Sequence, residues 1–314
     1  MKGLLPDCKR CLCLDNPFGE WQSGLVSVRK LEQLRELIGS FGSCLVAYSG
    51  GVDSVFLARV VREVLGEKCL AVIADSPSLP RRELEEALEI ANRFAIPLRV
   101  VKTAEFENPS YVANPANRCY FCKQELFSHL TPIATTEGLA VIAYGENASD
   151  AGDFRPGAQA AKEFQIRAPL KEVGLTKSEI RALSARLGLP TADKPQMACL
   201  SSRIPYGEPV TPEKLRMIEQ AENFLRTLGF REVRVRHHDL KPGPLARIEV
   251  GPGEIRRLLA DETALQVASA LRGVGYAHVT VDLFGYRRGS ANELLAGSVR
   301  PPTLSGSSVD PADS

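Results

Sequence analysis

Excess charge of one sign is missing from this sequence: 39 lysines and arginines stand against 38 aspartates and glutamates over 314 residues, a formal net charge of +1. That balance excludes a chain that grips nucleic acid by bulk charge, though not one with a local basic patch. Long apolar runs are missing too. None approaches the roughly 20 residues that cross a bilayer, and the N-terminal MKGLLPDCKRCLC is too polar for a secretory signal. Together these absences point to a cytoplasmic protein. There is also no internal repeat. What is present, 44% apolar and 25% charged residues, is ordinary for a globular chain long enough for one large or two modest domains. Eight cysteines in such a chain suggest metal or redox chemistry rather than disulfides.

Hydrophobic periodicity gives the organisation. Residues 1–22 read as irregular, with three cysteines and two prolines. Leu25, Val28, Leu31, Leu34 and Ile38 then recur at helical spacing. Four short apolar runs follow: Cys44 to Tyr48, Leu70 to Ala74, Leu98 to Val101 and Ala140 to Tyr144. Helices between them are expected to start near Asp53, Pro80 and Cys119. Such runs suit strands buried on both faces of a parallel sheet. The βαβα order predicts an α/β fold: a doubly wound, mostly parallel sheet with helices on both sides.

A fifth run, Phe164 to Ala168, precedes a helix expected over Lys177 to Leu187, capped by Thr176 and stopped at Gly188-Leu189-Pro190. Residues 191–210 are rich in Pro and Gly and read as a functional loop or joint. From Thr211 the pattern changes to a helix over 212–228, strands over 232–237 and 245–250 around a Lys241-Pro242-Gly243-Pro244 turn, two helices over 253–274 and a strand over 276–283. That is a smaller α+β domain. The expected division is an irregular segment 1–22, a phosphate-loop domain 23–205, a substrate and oligomerisation domain 206–295, and a disordered tail 296–314.

The strongest motif is Ser49-Gly50-Gly51-Val52-Asp53-Ser54, between a predicted strand and a predicted helix. Glycines let the backbone turn sharply and approach an anion. The helix head offers N–H groups and a favourable dipole, and Ser49 and Ser54 add hydroxyls. Asp53 suits a phosphate site only as a holder of Mg²⁺ or of a neighbouring donor. The string is not a Walker A loop, which needs a Lys. It resembles the PP-loop of the ATP pyrophosphatase superfamily, which implies cleavage of ATP between its α and β phosphates. Asp75 ends the second strand on the ligand-bearing edge of such a sheet, where it is either a nucleotide contact or a plain loop carboxylate. The segment Gly145-Glu146-Asn147-Ala148-Ser149-Asp150, with Asp153 and Arg155-Pro156-Gly157 after it, resembles a further stretch of the same superfamily. That likeness makes Asn147 a nucleotide contact and gives Asp150 and Asp153 a share in Mg²⁺.

The cysteines divide into groups. Cys44 and Cys69 fall in predicted buried strands and read as core. Cys8, Cys11 and Cys13 read as an accessory segment. Cys119 and Cys122 lie one turn apart at a helix start, where the N-terminus is expected to favour thiolate. Cys199 stands in the Pro/Gly-rich joint. Three such thiols allow either a zinc site with an open position or a 4Fe–4S cluster with one free iron.

Over residues 24–295 the chain resembles the LarE family of ATP-dependent sulfur transferases. The likeness rests on the PP-loop, Asn117-Arg118-Cys119-Tyr120-Phe121-Cys122-Lys123, Arg167-Ala168-Pro169-Leu170, Cys199-Leu200-Ser201-Ser202-Arg203, Arg234-Val235-Arg236-His237-His238 and Gly285-Tyr286-Arg287. It implies adenylation of the carboxylates of pyridinium-3,5-biscarboxylic acid mononucleotide and displacement of AMP by sulfur, in nickel-pincer nucleotide synthesis. Members with one cysteine, matching Cys199, give up its sulfur. Cys119 and Cys122 set this chain apart and favour a cluster held by all three, which an external sulfur donor recharges. The resemblance also makes Cys199 catalytic and places Ser49, Gly50, Gly51, Asp53, Ser54, Asp75, Asn147, Asp150 and Arg203 around ATP. Arg234 and Arg236, which alternate along one strand and share a face, become candidates for the substrate phosphate with Arg287, against the alternative of a solvated basic face. His237 and His238 read as structural. A homo-oligomer, a hexamer, is implied as well. The rival classes are a tRNA thiolase, an ammonia-using NAD or GMP synthetase, and a non-catalytic nucleotide-binding module.

Overall fold

The computed structural model describes residues 17–150, 156–196 and 198–287. Cys8, Cys11, Cys13, Asp153, Arg155 and the expected tail lie outside the described residues. Helix α1 (Pro17–Gly39) begins inside the stretch expected to be irregular. A proline is well placed in a first turn, where its missing N–H costs nothing. Then come β1 (Cys44–Ala47), α2 (Val52–Leu65), β2 (Cys69–Asp75), α3 (Arg81–Arg93), β3 (Leu98–Lys102), α4 (Pro109–Val112), α5 (Arg118–Thr136) and β4 (Val141–Tyr144).

These strands form one sheet in the order β3-β2-β1-β4, all neighbours parallel. Alternate residues serve opposite faces. Cys44, Val46, Ala71 and Ile73 pack with α1, α2 and α3, while Leu45, Ala47 and Val72 pack with Phe127, Leu130 and Ala134 of α5. Two-sided burial holds for β1 but not for the outer strand β3, where Val100 is 43% exposed. The strand order reverses between β1 and β4, so the crevice of the sheet opens at their carboxyl ends.

After β4 follow α6 (Pro156–Glu163), α7 (Pro169–Glu172) and α8 (Lys177–Arg186). The run Phe164 to Ala168 is not a fifth strand. It makes a single parallel bridge, Ala143 to Arg167, because Gln165 takes a left-handed φ of 56° on one side and Pro169 starts α7 on the other. Thr176 caps α8 in a full capping box with Glu179.

A second, three-stranded sheet holds β5 (Val233–His238) antiparallel to β6 (Leu245–Val250), and β6 parallel to β7 (His278–Val281). Helices α9 (Pro212–Thr227), α10 (Ile255–Leu258) and α11 (Asp261–Val274) close a separate core on Val233, Val235 and Ile248. Among the described residues no helix is long and apolar enough to cross a membrane.

Candidate active site

The loop from β1 into α2 lies at the crevice. Gly50 has φ 70°, and a Cβ there would stand 2.7 Å from that of Ala87, so neither conformation nor space admits a side chain. Gly51 precedes α2 with no side-chain cap, which leaves the N–H groups of the helix head for an anion. The two serines serve the loop itself. Ser54 is buried, receives the Ser49 N–H at 3.1 Å, lies 3.0 Å from Ser49 Oγ and donates to Gly51 O at 3.1 Å. Gly145, just past β4, presses against this turn: a Cβ there would lie 2.9 Å from Ser54 N and 3.0 Å from the Asp53 carbonyl carbon. Gly145→Ala is therefore expected to cost roughly 1–3 kcal/mol, as overpacking against fixed backbone does. It should also weaken ATP binding measured by calorimetry more than Gly273→Ala, where nothing lies within 4 Å.

Asp53 stands in the first turn of α2. Its Oδ2 takes a 2.6 Å ion pair from Lys177, while Oδ1 is buried without a hydrogen-bond partner among the described residues. An orphaned carboxylate oxygen beside an anion cradle fits a Mg²⁺ ion. Asn147 is buried and shapes the opposite wall: its Oδ1 accepts from Ser149 N, and its N–H donates to Asp150 Oδ2. Ser149 Oγ receives the N–H of Lys177 at 3.0 Å, which locks this wall to the head of α8. Asp75, by contrast, is paired with Arg81, which also donates to Ser76 O.

Two lysines here were not singled out from sequence. Lys177 meets Asp53 across 124 residues of chain. Lys194 is held by Glu83 at 2.7 Å and Glu86 at 2.9 Å, within 3.4 Å of Gly50 O. No local pattern marks either, because each partner is remote in sequence.

The three sulfur candidates belong to two segments, the head of α5 and a 3-10 turn over Leu200–Arg203 that starts at Cys199. A closed hydroxyl triangle joins the turn after Cys199 and α4 to the β2–α3 loop: Ser78 Oγ, Tyr111 OH and Ser201 Oγ lie 2.5, 2.9 and 2.9 Å apart, all buried. Arg118 reaches Ser201 O at 3.2 Å and also bonds Asn114, whose amide serves the carbonyls of Pro205 and Glu208. Arg203 is fully buried. It forms a two-pronged pair with Glu222 at 2.8 and 3.1 Å and donates to the carbonyls of Ala198 and Cys199. The structure thus places Arg203 behind the Cys199 turn.

The expected thiolate at the helix start is corrected for Cys122. Burial, then the neighbouring Cys199, pushes its thiol up to about 12, so desolvation outweighs the dipole at this depth. Cys119 is exposed. Buried Cys44 is likewise raised to about 12, by burial first and then by Cys69, as suits a core thiol. Among the described residues no group of three or more His, Cys, Asp and Glu side chains stands close enough to hold a metal ion. Cys119, Cys122 and Cys199 are nevertheless the all-thiol donor set that a four-iron cluster takes. Glu105, close enough for its charge to act on Cys122, is buried with Oε2 lacking a hydrogen-bond partner among the described residues.

Arg234 and Arg236 do share a face, but it is not solvated: both are over 90% buried against the 196–203 loop. Arg236 is neutralised by Glu249 at 3.0 and 2.8 Å and donates to Ser202 O. Arg234 donates to the carbonyls of Val233 and Gln196 and lies over the Tyr286 ring, with no carboxylate pair among the described residues. Burial, then Arg203, holds its pKa below the ordinary value. Arg287 sits 4.0 Å from Asp282. His237 is buried against Tyr276 and Asp239, a structural placement.

A parallel four-stranded sheet with an uncapped, glycine-built loop at its switch point is the architecture of a PP-loop domain. No family model matches the chain. It is 33% identical over 251 residues, 80% of its length and 89% of the other's, to pyridinium-3,5-bisthiocarboxylic acid mononucleotide synthase of Lactiplantibacillus plantarum. It is 46% identical to an uncharacterised protein of Synechocystis over 85% of its own length and 98% of the other's. A glutamine-hydrolysing GMP synthase of Gibberella zeae matches more distantly, at 25% identity over 72% of the chain and 40% of that protein. The chain belongs to the LarE family and is an ATP-dependent sulfurtransferase.

Proposed function

We propose that this chain converts the carboxylates of pyridinium-3,5-biscarboxylic acid mononucleotide to thiocarboxylates for the nickel-pincer nucleotide, and that Cys119, Cys122 and Cys199 hold a 4Fe–4S cluster that carries the sulfur. The observation that carries this reading is the docking of a cysteine turn between two units: the turn after Cys199 is tied through Ser201 to Arg118 at the head of α5, through Arg203 to Glu222 of α9, and through the Ser202 carbonyl to Arg236 of the second sheet. In this reading residues 23–205 activate the substrate and 206–295 hold it.

The head of α2 and the Gly50–Gly51 backbone receive the β and γ phosphates, and Asp53 and Asp150 hold Mg²⁺. A substrate carboxylate oxygen attacks the α-phosphorus and pyrophosphate leaves. The acyl adenylate then has AMP as its leaving group, which sulfur displaces at the carbonyl carbon. Arg234, buried with no carboxylate pair among the described residues, offers its guanidinium to the substrate phosphate. Arg236, already paired with Glu249, orients the Ser202 carbonyl. When bound, the cluster would present a sulfide on its open iron. Assembly into a homo-oligomer, partly through the domain 206–295, is part of the reading, supported by exposed Leu265, Leu283 and Phe284.

Anaerobic purification followed by iron and acid-labile sulfide analysis tests the cluster. About four of each per chain are expected in wild type, with loss in Cys199→Ser. Absence of iron from fully anaerobic wild type would leave sacrifice of the Cys199 sulfur, seen as dehydroalanine by mass spectrometry.

A further inference from the structure

Arg118 opens α5, beside Cys119 and one turn before Cys122. It is 3% exposed. A guanidinium does not release its proton, so a full positive charge is buried here, and an uncompensated buried charge is strongly unfavourable. Two other buried arginines solve this with carboxylates: Arg203 has Glu222, and Arg236 has Glu249; Arg234, which has none among the described residues, donates to the carbonyls of Val233 and Gln196. Among the described residues Arg118 has none. Its partners are Asn114 Oδ1, Ser201 O and the Tyr206 ring at 5.8 Å, all uncharged.

We propose that Arg118 is a positioning residue of the sulfur site and its fixed counter-charge: it ties the Cys199 turn to the head of α5 through Ser201 and sets one positive charge beside the three cysteines. The proposal rests on the reading of those cysteines as one cluster-bearing site. A nearby fixed cation favours the more negative, reduced state of a cluster and so raises its midpoint potential.

The test is a redox titration of the anaerobically reconstituted full chain, comparing wild type with Arg118→Gln and Arg118→Lys. Iron and sulfide are counted in each, and folding is followed by circular dichroism. Arg118→Gln can still donate to the Ser201 carbonyl but lacks the charge; its midpoint potential is expected to shift downward. Arg118→Lys keeps the charge and is expected to stay at the wild-type value. Equal potentials in wild type and Arg118→Gln, or the same downward shift in both variants, overturn the proposal. Where Arg118→Gln does not fold, Arg118→Lys decides: an unshifted potential supports the counter-charge and a lowered one overturns it. Wild type that takes up no iron defeats the cluster reading itself, and this proposal with it, a result distinct from iron-loaded variants whose potentials do not move.

Discussion

Cys199→Ala is expected to abolish sulfur transfer while ATP is still cleaved to pyrophosphate in the presence of substrate. The argument is one of separation. The phosphate loop is built by β1, α2, Gly145 and the head of α8. The sulfur site is built by α5 and the turn after Cys199. Alanine keeps the Cys199 carbonyl that Arg203 and Ser202 bind, so the turn survives the change. Removing a group that acts as a unit with others takes away nearly the whole step, and a loss of sulfur transfer of at least about 100-fold is expected. Pyrophosphate release and thiocarboxylate formation, followed in one reaction by phosphate-coupled assay and mass spectrometry, separate the two half-reactions. Retained thiocarboxylate formation in Cys199→Ala would remove this residue from the chemistry.

Glu222→Gln is expected to be the most destabilising single change among the residues described. Glu222 is 1% exposed and accepts from Arg203, from Arg226 at 2.9 Å and from the Val235 N–H at 3.2 Å. It is the sole carboxylate among the described residues that pairs with the fully buried Arg203. Breaking such a pair from one side leaves a bare buried charge, at roughly 3–5 kcal/mol. A melting temperature lower by about 2–4 °C for each kcal/mol is expected for a unit of this size. The pH dependence has a definite sign. Burial opposes the Glu222 charge, yet the Arg203 guanidinium prevails and holds the carboxyl below the usual glutamate range. Its contribution is complete above the unfolded pKa and is lost as pH falls through the lower folded value. Thermal melts of Glu222→Gln should therefore show a flatter acid limb than wild type. An unchanged melting temperature at neutral pH would refute the argument.

Which of these features the sequence displayed follows from the range of the forces involved. The loop Ser49 to Ser54 was legible because a tight turn at a helix head demands glycine locally, and the structure adds that Gly50 and Gly145 are further pinned by tertiary contacts. The shared face of Arg234 and Arg236 follows from the period of a strand. Their burial does not, since it comes from a loop some 35 residues upstream that packs over them. Lys177 with Asp53, Lys194 with Glu83, and Arg203 with Glu222 are pairs across the fold, invisible to any local window. Cys122 is the case where a local rule misled. A helix start lowers a thiol pKa at the surface, but here burial, with Cys199 adding to it, reverses the direction. The run Phe164 to Ala168 misled in a similar way, because its apolar pattern is that of a strand and its flanks allow only one bridge.

The central claim is that this chain replaces carboxylate oxygen by sulfur at the expense of ATP. The most direct measurement incubates the anaerobic wild-type protein with pyridinium-3,5-biscarboxylic acid mononucleotide, Mg-ATP and a sulfide source, and follows the nucleotide by mass spectrometry alongside AMP and pyrophosphate. The account predicts one AMP and one pyrophosphate for each oxygen exchanged for sulfur, with product exceeding enzyme. Pyrophosphate release without any sulfur in the product, or sulfur incorporation that does not require ATP, would contradict it.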